Sequence, residues 1–172
     1  MKITVKRMTF CALLTAIALT IFMVEAQIPV PAPVPNFRLG LANIVTVYAM
    51  FALGPRDTFL ILASRIILGS AFSSFANLPY SAAGGFCCYL IMLLLRRLLT
   101  QDQLWVCGAI SSIFHNIGQM AMALFITRTP GLIIFLPYLM IPGVIAGVFT
   151  GLAAQLVLKR LGNQIRFDGD KK

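Results

Sequence analysis

Four prolines at alternating positions, Pro29, Pro31, Pro33 and Pro35, interrupt a chain that is apolar on both sides of them. Each ring fixes φ and removes a backbone donor, so no helix continues through this stretch. The segment has to run extended between two hydrophobic helices, where its carbonyls can meet water or protein. It is expected to form a semi-rigid cap over one membrane face. Arg38, Asn43 and Thr46 follow it. A helix facing only lipid would not carry them, so the cap is expected to cover something that binds.

The membrane reading rests on composition: 59% of the 172 residues are hydrophobic and 11% charged, too little polar surface to cover a soluble domain. Six apolar runs predict an all-α, polytopic, six-helix transmembrane bundle, with spans near residues 8–28, 40–53, 58–76, 80–95, 104–126 and 131–158. Residues 1–161 form one transmembrane domain in this reading, and 162–172 a charged cytoplasmic tail. The second run is short for a bilayer core of about 30 Å, so the proline segment is expected to occupy the remaining depth.

Eleven of the fourteen Lys and Arg residues fall in the two tails and in the connections at Arg56 and at Arg96 and Arg97. With those segments inside, only Arg38 and Arg128 lie outside and only Arg65 lies within a span. This predicts a multi-pass protein of the cell membrane with both termini cytoplasmic. The net charge of +9 sits at membrane borders without interleaved aromatics, which suits orientation and contact with anionic lipid and gives no reason to expect nucleic acid. The start of the chain has the pattern of a signal peptide, with Val24-Glu25-Ala26 as a small-residue site. A retained first span is the simpler expectation.

Local signals refine this picture. In Gly54-Pro55-Arg56-Asp57, Gly54 is expected at a helix C′ position and Asp57 as the next N-cap. Gly143, Gly147 and Gly151 place three side-chain-free positions on one face of the last helix, which predicts close packing against another helix, while Pro137 and Pro142 are expected to kink it. Cys11, Cys87, Cys88 and Cys107 lie in apolar runs and read as small hydrophobes. His115 is the sole histidine, with no second ligand at metal spacing, so neither a metal nor a cofactor is expected.

Depth along the helices groups the polar residues. Arg38, Asn43, Thr46, Arg65, His115, Asn116 and Gln119 are candidate substrate-binding residues. His115 and Gln119, four apart, share a helix face. Arg65 suits either an anionic substrate or backbone carbonyls and other helices' polar groups within the bundle, and His115 either a ligand or packing. Glu25 is the only acid outside the cytoplasmic zones, and with Arg38 it is a candidate latch on the cap; an interfacial charge meeting water is the alternative. Ala12 and Ala16 form a small-xxx-small face on the first helix.

The proline cap, the strings Gly40-Leu41-Ala42-Asn43-Ile44-Val45-Thr46 and His115-Asn116-Ile117-Gly118-Gln119, Arg65, and the Gly143 to Gly151 run resemble one membrane family over about residues 8–158. It is labelled heptaprenyl diphosphate synthase component I, or Gx transporter. That family is similar to the substrate-binding S components of energy-coupling factor (ECF) transporters. The resemblance implies a small-molecule site near the outer face, and docking through Ala12 and Ala16 to a transmembrane coupling subunit and its ATP-binding subunits. The expected function is uptake of a small, partly apolar solute linked to isoprenoid or quinone metabolism. A non-catalytic accessory subunit of a heptaprenyl diphosphate synthase or a redox assembly is the alternative, and proton-coupled transport through His115 or Glu25 is a third.

Catalysis is not expected. Prenyl elongation needs aspartate clusters holding Mg²⁺, and the five acids, Glu25, Asp57, Asp102, Asp168 and Asp170, form no such motif. A phosphate-cradling Gly-rich loop followed by Lys-Ser or Lys-Thr is also missing from the sequence, so energy would come from partners or gradients.

Overall fold

A computed structural model of the protein describes residues 5–27 and 38–161. The proline segment and the charged tail lie outside the described residues. Among the described residues six α-helices follow in order: α1 (Val5–Glu25), α2 (Asn43–Ala52), α3 (Pro55–Phe72), α4 (Leu78–Leu98), α5 (Leu104–Thr127) and α6 (Leu136–Leu161), with three short 3₁₀ turns between the later ones. The all-helical bundle is as the apolar runs predict.

Four of these elements, counted with their adjoining turns, are long and apolar enough to cross a membrane: Val5–Glu25, Phe75–Leu98, Gln101–Thr127 and Pro130–Leu161. Large apolar side chains cover their flanks, with Phe125 80% and Ile134 76% exposed. A water-soluble surface would not tolerate this many, and the protein belongs in a membrane. α2 has only ten residues, about 15 Å of helix, roughly half the depth of a bilayer core. α3 carries Arg56, Asp57 and Arg65, so length and composition alone do not make it a span.

Several boundaries depart from expectation for clear reasons. α3 begins at Pro55, because proline lacks only an N–H that a first helical residue leaves unpaired anyway. Gly54, at φ +100°, follows the C-cap of α2 as expected and is itself the N-cap of α3. Asp57 is therefore not the N-cap. It sits in the first turn and pairs with Arg7 at 2.6 Å, while Arg7 also donates to the Leu53 carbonyl at 3.0 Å. α3 stops at Phe72, where Ser74 caps a 3₁₀ turn. α6 begins at Leu136, which puts Pro137 in its first turn, where no backbone bond is lost; only Pro142 lies inside the helix.

Glycines set the spacing of one side of the bundle. A Cβ on Gly108 of α5 would strike the Gly147 carbonyl of α6, and one on Gly151 would come within 2.5 Å of the Leu104 carbonyl. The stripe on α6 is thus spent on α5, as its period predicts. Gly118 brings α5 against α4, where its Cβ would lie 2.6 Å from the Ala83 carbonyl.

The apolar core falls into two clusters. The larger joins Leu14, Val47, Met50, Met92, Leu104 and Ala154 toward the end of the bundle that carries Arg7, Arg96 and Lys159. The smaller joins Tyr80, Met120, Ala123 and Leu139 toward the opposite end.

Candidate functional site

Between the two apolar clusters lies a layer of buried polar side chains drawn from four helices and the residues before α2. Burying charges in this position is costly unless each finds a partner.

Glu25, at the last turn of α1, is 4% exposed. Its Oε1 accepts the Gly40 N–H at 2.6 Å and its Oε2 the Ala42 N–H at 3.5 Å. Ala42 is the N-cap of α2 and cannot cap it with its own side chain. A carboxylate from α1 instead accepts the N–H of the N-cap residue itself, next to the positive end of the helix. Gly40 makes this approach possible: its φ is +83°, and a Cβ would lie 2.8 Å from Asn43 Nδ2 and 3.3 Å from His115 Cδ2.

Arg38 holds α1 differently. Its Nη1 donates to the Phe22 carbonyl at 3.3 Å, and its guanidinium stands 3.9 Å from the centre of the Phe22 ring. Partial burial lowers the Arg38 pKa from its ordinary value, and the Glu25 carboxylate counteracts this. Glu25 and Arg38 thus both tie the segment before α2 to α1. Each uses backbone groups, and the two side chains feel one another only through Coulomb attraction.

Arg65, in the middle of α3, is 5% exposed. Its Nη1 and Nη2 share Asn43 Oδ1, both at 3.4 Å, and its buried Nε has no hydrogen-bond partner. Those are long, weak bonds for a guanidinium with five donors. On α5, Gln119 Oε1 accepts the Arg38 N–H at 3.2 Å, which leaves its amide nitrogen, 2.8 Å from His115 Nε2, as a donor. With that amide as donor, His115 Nε2 accepts, while His115 Nδ1 is buried without a hydrogen-bond partner.

Glu25, Arg38, Arg65, His115 and Gln119 line one cavity together with Phe22, Gly40, Ile66 and Ser81. Its volume is only ≈ 10 Å³, about enough for one water. Its charged lining consists of two guanidiniums and one carboxylate whose oxygens already accept backbone N–H groups. The arrangement suits the capture of a negative charge. It has no second carboxylate beside the first for acid–base chemistry.

The remaining candidates lie apart from the lining. Asn43 stands behind it, holding Arg65. Thr46 is 1% exposed within α2. Asn116 turns to α6, where its Nδ2 donates to the Leu139 carbonyl at 3.2 Å and the side chain occupies the space left by Gly143. That carbonyl lies in the turn that Pro142 interrupts. Ala12 and Ala16 are exposed on the outer face of α1. Phe22, Gly40, Ile66 and Ser81 were not expected in the site. Gly84, three residues after Ser81, brings α4 close to this layer: a Cβ there would lie 2.8 Å from Gln119 Cγ and 3.0 Å from His115 Cε1.

The sequence model of the family described as heptaprenyl diphosphate synthase component I matches residues 14–157. The chain belongs to that family. The match takes in every residue of the cavity lining, from Phe22 on α1 to Gln119 on α5. "Component I" in the family's name implies a partner subunit in a complex. No curated protein and no solved structure matches the chain.

Proposed function

We propose that this membrane protein is the substrate-binding, S-component-like subunit of an ECF-type transporter. It takes up a small, partly apolar solute linked to isoprenoid or quinone metabolism, and it is not itself a catalyst. The observation that carries this reading is the convergence of Arg38, Arg65, His115 and Gln119 on one buried cavity beneath the residues that follow the proline segment. A scaffold gains nothing from burying the Arg65 guanidinium there, since that costs several kcal/mol of desolvation.

In this reading both termini and the basic end of the bundle lie in the cytoplasm. The exposed face of Ala12 and Ala16 docks the coupling subunit, and its ATP-binding partners supply energy. The family name favours a second reading, a membrane accessory subunit of a heptaprenyl diphosphate synthase.

Affinity purification of the tagged chain in mild detergent, with mass spectrometry of proteins and small molecules, separates the two. ECF subunits together with a bound solute are expected. Stoichiometric recovery of a prenyl synthase with no solute would overturn the carrier reading.

A further inference from the structure

The polar cavity has a neighbour on the flank of the bundle. Ile66 lines the cavity, and it also lines an apolar groove of ≈ 360 Å³ between α3 and α4. Phe59 and Ile67 of α3 and Ala82 and Phe86 of α4 form the sides of the groove. Phe59, Ile67 and Phe86 are exposed, so the groove opens toward the apolar phase of the bilayer. Opposite Ile66 stands Gly85, where a Cβ would lie 2.9 Å from Ile66 Cδ1. One isoleucine side chain, seated against a glycine, is thus shared by the two spaces.

A second apolar groove, of ≈ 280 Å³ between α1, α2 and α6, shares no lining residue with the cavity. Of these two grooves, the α3–α4 one is the one that shares a lining residue with the charged layer.

Two further observations say what would lie across Ile66. The cavity has one more cation than acid, and Arg65 Nε is buried without a partner, so the site is short of one negative group. It also has room for about one water and not for the body of a substrate. The body has to lie elsewhere, and the adjoining groove is wholly apolar and of ligand size.

We propose that the ligand is a single-chain anionic amphiphile that enters sideways from the bilayer. Its carboxylate or phosphate head meets Arg38 and Arg65, its chain lies between α3 and α4, and Ile66 swings aside to join the two spaces. This rests on the reading that the cavity binds a ligand, and it names the class and the route.

The test uses the full chain in phosphatidylcholine nanodiscs, with native mass spectrometry to titrate dodecyl phosphate, dodecanoate, dodecanol and inorganic phosphate. One or both anionic amphiphiles are expected to bind at one site, with dodecanol and inorganic phosphate weaker by roughly tenfold or more. Arg38→Gln, which removes the head contact, and Ala82→Trp, which fills the groove, should each weaken binding by a similar factor. Val157→Trp in the other groove should not. Equal binding by Arg38→Gln and Ala82→Trp would reduce the effect to partition into lipid and overturn the proposal. Inorganic phosphate binding as tightly as dodecyl phosphate would also overturn it and leave the carrier reading standing. If no probe binds while a solute co-purifies with the chain, the amphiphile proposal alone falls; if no solute co-purifies either, both fall.

Discussion

Glu25 accepts the Gly40 N–H at 2.6 Å, so the last turn of α1 holds the entry to α2 across residues 28–37. Glu25→Ala removes that acceptor and leaves Arg38 and Arg65 without the acid that shares their cavity. A loss of about 3 kcal/mol is expected, the cost of uncompensated buried charge. Glu25→Gln keeps an acceptor oxygen and should lose less than Glu25→Ala. Denaturation of the purified variants in detergent ranks the three proteins, and equal stability of wild type and Glu25→Ala would contradict the assignment.

Gln119 joins α5 to the residues before α2 through the Arg38 N–H. Gln119→Leu should therefore expose that amide to exchange without unfolding the bundle. One hydrogen bond, about 1 kcal/mol, corresponds to roughly fivefold faster hydrogen exchange at Arg38. Amides in the middle of α6 serve as the internal reference and should not change.

Side chains cannot be added between α5 and α6. Gly108→Leu places a branched group where the Gly147 carbonyl already lies, and loss of monodisperse folded protein in size-exclusion chromatography is expected. Gly131→Ala, at a position with nothing within 4 Å, should elute as the wild type does.

Ala12→Trp and Ala16→Trp test the proposed docking face. Both positions are exposed, so the bulky ring should leave the fold and ligand binding intact. Uptake and co-purification of ATP-binding subunits should both disappear. Normal uptake by either variant would count against transport through this face.

The helices were legible because an apolar run long enough to cross a bilayer has few alternatives to helix. Their ends were less so: Pro55 starts α3 earlier than the charged turn suggests, and Ser74 ends the expected third run in a 3₁₀ turn. In the site, His115 and Gln119, four residues apart on one helix face, both line the cavity. Asn116 is one residue from His115, and the 100° this represents on a helix turns it to α6. Polarity marks a residue as noteworthy but does not give its azimuth. Ile66 and Phe22 carried no signal, since an apolar side chain in an apolar helix looks the same whether it faces lipid or a charged cavity.

The glycine contacts of α5 with α4 and α6 have a mechanical consequence. Where backbone rests on backbone, no rotamer can turn to absorb a change in spacing, and that side of the bundle behaves as a fixed frame. Ile66, resting against Gly85, is by contrast a side chain that can turn. Enlargement of the cavity therefore has to come from α1, α3 and the residues before α2, with His115 and Gln119 standing still on the frame as the reference against which the moving half closes.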